Sequence, residues 1–118
     1  VTVGDLSVEA AQRQVNGTLG KAIQFNIQNL EPSRMAIQQA DVVISLLPAH
    51  FHIQVARLCL QEKKHLLTAS YVSDEMKQLD TEARSQKLLF LNECGLDPGI
   101  DHMSAMQLLD DIKEKGGK

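Results

Sequence analysis

The sequence predicts a doubly wound α/β fold, in which helices cover both faces of a parallel sheet. Two observations support this prediction. Short apolar runs alternate with stretches of helical periodicity along the chain, which is the order of parallel strands joined by helical crossovers. One run, DVVISLLP at residues 41–48, is apolar on both faces, as expected of a strand buried inside such a sheet.

The first third of the chain contains two strand and helix pairs. Residues 1–4 are predicted to form a strand, and Ser7 is a suitable N-cap for a helix over residues 8–15. An Asn-Gly pair follows that helix and is expected to end it. Residues 22–25 form the second strand. The next helix, over residues 32–39, starts with a proline, which the first helical turn accommodates.

The middle of the chain repeats this pattern. The apolar strand over residues 42–47 stops at a proline, which cannot donate a backbone hydrogen bond to a sheet. Apolar side chains then recur at helical spacing over residues 51–62. HLLTA at residues 65–69 is the fourth strand. Ser73 begins the next helix, where two acidic residues favour the positive end of the helix dipole.

A fifth strand over residues 87–92 and a helix over residues 100–115 complete the predicted elements. Right-handed crossovers would place the helices on both faces of the sheet. Ligands of such folds bind at the carboxyl ends of the strands. The residues that follow each strand are therefore the candidates for function.

Composition and charge exclude several classes of protein. The chain has 118 residues, 43% apolar and 23% charged, with a formal charge of -3. These values are typical of a globular domain, and a nucleic-acid-binding protein would instead carry clustered basic residues. No apolar run approaches the roughly 18 residues of a membrane span. Cys59 and Cys94 are the two cysteines of the sequence, and they lack the paired spacing of a zinc site. A reduced, cytosolic setting is the default expectation for such a chain.

The first residues indicate a piece of a longer protein. VTVGD reads as a buried strand at the very first position, with neither an initiator methionine nor a signal sequence before it. A chain of 118 residues is also short for an enzyme that holds both a cofactor and a substrate. We therefore expect a structural segment upstream of residue 1.

Asp5 follows the first strand of the sequence. In a dinucleotide-binding fold the second strand ends in an acid that hydrogen-bonds the adenosine ribose, about 20 residues after a glycine-rich turn. Asp5 stands at that place if an upstream segment supplies the first strand and the turn. Its charge would repel a 2′-phosphate, which favours NAD over NADP as the cofactor. The alternative is an acidic loop residue without a ligand.

The strand that ends in Ser45, Leu46 and Leu47 offers an apolar surface on which a flat nicotinamide or adenine ring could lie. The same three residues could equally belong to the core. His50 and His52 follow two positions apart and would point in different directions from a helix, so no metal site is predicted. His52 is expected to be a surface residue.

Hydroxyl groups follow the fourth strand. Ser70 and Tyr71 could hold the carboxylate or amine of a substrate, while a turn before the next helix is the structural alternative for Ser70. Further along, LDPGID contains a Pro-Gly turn preceded by Asp97. Asp101 lies in the first turn of the last helix, where the helix dipole stabilises an acid.

Three stretches together carry a resemblance to a known family. DVVISLLPAHFH, KKHLLTASYVSDEM and NECGLDPGIDHMSAM, in this order, resemble the Rossmann-like dinucleotide-binding domain of the glutamate-forming saccharopine dehydrogenase family. The resemblance implies a nicotinamide-dependent oxidoreductase of lysine metabolism. Such enzymes interconvert saccharopine with 2-aminoadipate 6-semialdehyde and glutamate, through an imine that water opens. Residues 1–118 would be a partial NAD(P)-binding domain, with the substrate domain outside the sequence.

The resemblance also implies functional residues. Cofactor contacts would map to residues that follow three strands, namely Asp5, Ser45, Leu46, Leu47, Ala69 and Ser70. Substrate contacts would map to Ser70, Tyr71 and Asp97. Asp97 is the candidate catalytic acid or base, because proton transfer must accompany imine hydrolysis.

The sequence also departs from the family pattern. Ala49 stands where members often carry tyrosine, and Cys94 where several carry an aliphatic residue, so no mechanism is built on that thiol. The glycine-rich turn and the first strand, which is central in the 3-2-1-4-5-6 order, are missing. We expect the fragment alone neither to bind the cofactor tightly nor to turn over. Its unpaired strand edges could also pair with another chain, as in a homo-oligomer.

Two other functions stay open on the sequence alone. One is a regulatory or scaffolding domain that keeps the fold without catalysis. The other is a related dinucleotide enzyme that acts on another amino-acid semialdehyde or a polyamine. The saccharopine dehydrogenase hypothesis and the related-enzyme hypothesis both predict a small-molecule substrate, and neither predicts a nucleic acid or a membrane as partner.

Overall fold

The computed structural model describes residues 1–117, which form five strands and six α-helices. In chain order these are β1 (Thr2–Asp5), α1 (Val8–Val15), β2 (Lys21–Gln24), α2 (Leu30–Gln38), β3 (Val42–Ser45), α3 (His52–Gln61), β4 (His65–Thr68), α4 (Asp74–Gln78), α5 (Asp80–Ser85), β5 (Phe90–Leu91) and α6 (Ile100–Glu114). The strands pair in parallel, which confirms the predicted α/β class. No helix in this described range has the length and apolar character needed to cross a membrane.

The strands form two sheets. β1 pairs with β2, and β4 lies between β3 and β5. These two orders correspond to the strands on either side of the first strand in a 3-2-1-4-5-6 sheet. Among the described strands, none pairs with the second edge of β1 or of β3.

The first compact unit, Val1–Gln39, contains β1, α1, β2 and α2. Ser7 caps α1 as predicted, because its Oγ accepts a hydrogen bond from the backbone N–H of Ala10 at 3.2 Å. Helix α1 packs on both strands and buries Ala11 and Val15. Ile37 of α2 and Ile27, which precedes that helix, are also buried, so the core of this unit draws on both helices and the sheet.

The second compact unit begins at Ala40 and contains the three-stranded sheet. Helix α3 packs on β3 and β4 and carries more buried residues than any other element of this unit. Val55 and Cys59 of α3 and Leu66 of β4 are almost completely removed from solvent. Burial raises the pKa of the Cys59 thiol to about 12, which identifies this cysteine as a core residue.

Two elements differ from the sequence prediction. The predicted strand over residues 87–92 shortens to two residues, because Lys87 adopts a left-handed φ of 59° and the N–H of Leu88 bonds back to the Ala83 carbonyl. Lys87 and Leu88 therefore form the turn that follows α5 and do not extend β5. The single helix predicted after Ser73 divides at Leu79 into α4 and α5.

Truncation of Leu66 tests the assignment of the core. Leu66→Ala removes a side chain with 0% exposure and should lower the free energy of unfolding by about 2–5 kcal/mol, since a cavity is left in the core. Leu19→Ala is the matched control because Leu19 is fully exposed. Both variants are compared with the unchanged chain by urea denaturation. Equal midpoints for the two variants would contradict the assigned core.

Candidate functional site

The carboxyl ends of β3, β4 and β5 border a cleft of about 280 Å³. The last residues of β3 and β4, Ser45 and Thr68, lie opposite each other in the sheet, so the segments that follow both strands start side by side. The polar side chains of these segments and of the next helices line the cleft, among them His50, His52, Thr68, Tyr71, Glu75 and Asn92. The cleft therefore lies where the fold class predicts a ligand site.

A chain of hydrogen bonds crosses the wall of this cleft. Ser45 Oγ lies 2.8 Å from Nδ1 of His52, and Nε2 of the same ring lies 2.9 Å from Ser70 Oγ. Ser45 and His52 are each only 4% exposed. The imidazole thus links the end of β3 to the segment after β4, with both of its ring nitrogens paired.

The prediction that His52 is a surface residue is wrong. His52 begins α3 and precedes Val55, Ala56 and Cys59 by three, four and seven positions, which is the spacing of one helical face. That face is the buried one. Desolvation lowers the pKa of the His52 imidazole and so favours its neutral form. The helical spacing was the signal in the sequence that could have placed this histidine inside.

A second set of bonds attaches the segment after β5 to the end of β4. Thr68 Oγ1 donates to Asn92 Oδ1 at 2.9 Å. The backbone N–H of Cys94 donates to the Thr68 carbonyl, and that of Glu93 donates to the Ser70 carbonyl. Ser70 is therefore held through its backbone from one side and through its hydroxyl from the other.

Tyr71 and Asp97, both predicted substrate contacts, form an exposed pair. The Tyr71 hydroxyl donates to Asp97 Oδ1 at 2.9 Å. This hydrogen bond is the main cause that raises the pKa of Tyr71, and the charges of Asp97, Asp101 and Glu93 add to it. The phenol is thereby kept protonated, and the pair offers a hydroxyl and a carboxylate at one point beside the cleft.

Two glycines shape the loop that carries Asp97. A Cβ on Gly95 would lie 2.5 Å from the Ala69 carbonyl oxygen, so only glycine lets this loop approach the end of β4 so closely. Gly99 has a φ of 143°, and its N–H donates to Asp101 Oδ1 at 2.9 Å. Desolvation opposes ionisation of Asp101, but bonds from His102 and Gly99 outweigh it and lower the pKa of this carboxyl. Asp101 therefore stabilises the turn before α6.

The six predicted cofactor residues fall into both compact units. Asp5 ends β1 in the first unit, where its Oδ1 accepts a hydrogen bond from the Ser7 N–H at 2.9 Å. The other five follow β3 or β4 in the second unit. Leu46 is 76% exposed and Leu47 is half-buried, so this pair is accessible rather than enclosed in the core. His52 brings Ser45 and Ser70 together, whereas sequence reasoning had connected them only through the family resemblance.

Comparisons of the sequence relate this chain to known proteins. Residues 1–91 match the family model of the saccharopine dehydrogenase NADP binding domain. The whole chain is 44% identical to 11% of alpha-aminoadipic semialdehyde synthase from Arabidopsis thaliana. It is also 35% identical to 26% of saccharopine dehydrogenase [NADP(+), L-glutamate-forming] from Pyricularia oryzae. The chain thus spans between a tenth and about a quarter of the length of these curated relatives.

A solved structure is similar over the whole chain. The apo saccharopine dehydrogenase (L-Glu forming) from Saccharomyces cerevisiae superimposes with a TM-score of 0.82 at 34% identity, and the match covers 26% of that chain. The structural agreement supports the Rossmann-like architecture expected from the sequence.

The expected preference for NAD over NADP is wrong. The matched family domain binds NADP, and relatives such as the Pyricularia enzyme carry NADP(+) in their names. The expectation rested on the charge of Asp5 alone. In the structure that carboxylate accepts a hydrogen bond from the Ser7 N–H in the turn before α1, so Asp5 also has a structural role.

Acidification should destabilise the protein through His52. The pKa of His52 is lower in the folded protein than in the unfolded chain, where it has its ordinary value of about 6.5. The neutral ring therefore stabilises the folded protein fully at pH values above that ordinary pKa. This contribution is lost as the pH falls through the folded pKa. The free energy of unfolding, measured with urea at pH 7.5 and 5.5, should therefore fall more in the wild type than in His52→Gln. His50 and Glu75, which line the same cleft, are present in both proteins, so the comparison isolates His52. Equal losses would contradict a desolvated His52.

Proposed function

This chain belongs to the family of the saccharopine dehydrogenase NADP-binding domain, and from this premise we propose that it is the cofactor-binding part of a saccharopine dehydrogenase. The full protein would interconvert saccharopine with 2-aminoadipate 6-semialdehyde and glutamate in lysine metabolism. The observation that carries the proposal is the family match over residues 1–91. The similarity of the whole chain to glutamate-forming enzymes supports it.

The residues after β3 and β4 are suited to hold the nicotinamide part of the cofactor. Exposed Leu46 and half-buried Leu47 offer an apolar surface to a flat ring, next to the hydroxyls of Ser45 and Ser70. Ala69 lies between β4 and Ser70 and allows close approach because its side chain is small. NADP, when bound, would accept a hydride from the carbon next to the secondary amine of the substrate.

Ser70, Tyr71 and Asp97 are proposed to bind the substrate. The pair of Tyr71 and Asp97 presents a hydroxyl and a carboxylate, which can hold the amine of an amino acid by hydrogen bonding and charge. Ser70 offers one further hydroxyl beside the cleft, next to the lining residues His52 and Tyr71. These groups are of the kind that a substrate with several carboxylate and amine groups requires.

Asp97 is the proposed general acid and base. Once the substrate is an imine, a water molecule attacks its carbon and must lose a proton, while the leaving nitrogen must gain one. Asp97 can take the first proton and return it to the nitrogen, so that no net proton is consumed at this residue. Tyr71 would orient the carboxylate through its 2.9 Å hydrogen bond.

A reducing compartment and a defined oligomeric state complete the proposal. Cys59 and Cys94 are both free thiols, which supports a reducing setting such as the cytoplasm. Mammalian relatives from rat, mouse and cow are named as mitochondrial, so fractionation of cells is the measurement that decides. Pairing of copies through an unpaired strand edge is proposed as a route to a homo-oligomer of this part of the protein. Analytical ultracentrifugation of residues 1–118 tests it.

Cofactor preference tests the function and the place of Asp5 together. The full-length protein should reduce NADP in the presence of saccharopine, with a kcat/KM at least about tenfold above that for NAD, since the extra phosphate adds charge-assisted bonds. If Asp5 lies at the adenosine end, Asp5→Asn should lower the KM for NADP more than that for NAD. Glu31→Gln, another exposed acid at a helix start, is the control. Activity with another amine but not with saccharopine would redirect the proposal to a different substrate.

Substitution of the exposed pair tests the chemistry. In the full-length protein Asp97→Asn should lower kcat/KM for saccharopine by about 10²- to 10⁴-fold, the range of general acid and base catalysis. Tyr71→Phe should cost about tenfold, because it removes one hydrogen bond to a charged group. Asp74→Asn, which loses only an exposed ion pair with Lys77, is the control. An unchanged rate in Asp97→Asn would exclude Asp97 from proton transfer.

A further inference from the structure

We propose that His52 is the positioning residue for Ser70, fixing its hydroxyl beside the cleft by a bond that reaches across from the start of α3. The inference rests on the proposed function, since it assigns a role to His52 in binding the substrate of that reaction. His52 lines the cleft, but both of its ring nitrogens are paired with serine hydroxyls. Its proposed role is therefore exerted through Ser70.

The geometry singles out one imidazole between two strands. Nδ1 is 2.8 Å from Ser45 Oγ at the end of β3, and Nε2 is 2.9 Å from Ser70 Oγ after β4. A serine hydroxyl rotates freely about its Cβ–Oγ bond, so one further bond is needed to fix its direction. The ring supplies that bond, and its own orientation is fixed by Ser45 and by the buried face of α3.

The neutral ring suits this task because it is both a donor and an acceptor. Whichever nitrogen carries the proton, the other accepts, so the ring can satisfy both hydroxyls at once. Exposure of only 4% excludes water as a competing partner for most of the ring. Desolvation also lowers the pKa of His52 and keeps the ring in this form.

The backbone of Ser70 is held independently of the ring. Its carbonyl accepts a bond from the Glu93 N–H at 3.1 Å, and Gly95 packs against the neighbouring Ala69. The loss of the imidazole would therefore release the Ser70 hydroxyl without moving the main chain far. A variant of His52 can therefore lose the bond to the Ser70 hydroxyl while the segment after β4 stays folded.

Two variants of His52 divide its two bonds. The amide of asparagine can take the place of Nδ1, and that of the longer glutamine can take the place of Nε2. In the full-length protein His52→Asn keeps a partner for Ser45 and loses Ser70, so kcat/KM for saccharopine should fall about tenfold. His52→Gln keeps a partner for Ser70 and should lose clearly less. His102→Asn, at an exposed histidine of α6, is the control. Equal losses in both His52 variants, or the reverse order, would overturn the inference.

A double-mutant cycle with Ser70→Ala adds a test that a purely structural role would fail. If His52 acts through Ser70, His52→Asn should lower kcat/KM no further once Ser70 is alanine. Independent, multiplied losses would overturn the inference. In both comparisons circular dichroism and the urea midpoint show whether a variant has unfolded. If His52→Asn has unfolded, His52→Gln is used in its place.

Hydrogen exchange separates this inference from the proposed function. In the full-length protein the amides of residues 69–73 should exchange about three- to tenfold faster in His52→Asn than in His52→Gln, since a lost bond loosens this segment. If the wild type has no activity with saccharopine, the proposed function fails while this measurement still decides the role of His52. If the wild type is active and the two variants exchange and react alike, the function stands and the inference is overturned.

Discussion

The candidate site depends on the parallel register of β3 and β4. Four successive pairs, from Val42 opposite His65 to Ser45 opposite Thr68, make both strands end at the same level. The segments that carry Ser45 and Ser70 therefore leave the sheet side by side. A shift of one residue would turn the side chains of one strand to the other face and separate these groups. The positions of the polar groups at the cleft therefore depend on the backbone pairing of β3 with β4, which begins at Val42 and His65.

Burial makes the polar groups at these strand ends interdependent. Ser45, His52 and Thr68 are all less than 5% exposed, and a buried polar group without a partner costs about 1–3 kcal/mol. The folded protein meets this demand by pairing the groups with one another and with Ser70 and Asn92. The same requirement that stabilises the fold therefore also fixes the directions of side chains that face the cleft.

The sequence was sufficient for what depends on local periodicity and insufficient for what depends on contacts across elements. The caps of Ser7 and Ser73 and the apolar strand β3 were predictable, because each is set by neighbouring residues in the chain. The pairing of His52 with two serines 7 and 18 positions away was not. The expected preference for NAD was wrong, because it rested on the charge of one residue, Asp5, whereas the matched family domain binds NADP.

Ser70 and Tyr71 join the buried and exposed halves of the site. The Ser70 hydroxyl bonds inward to His52, while Tyr71, its neighbour in the chain, is 61% exposed and bonds to Asp97. The Ser70 carbonyl is held by Glu93 and the loop of Asp97 approaches Ala69 only because residue 95 is glycine. Tyr71 is joined to Ser70 by one peptide unit, so the backbone bond that holds the Ser70 carbonyl also restricts the main chain of Tyr71. The buried bond of the Ser70 hydroxyl and the exposed pair of Tyr71 and Asp97 therefore share one short segment after β4, whose main chain is held by the residues after β5.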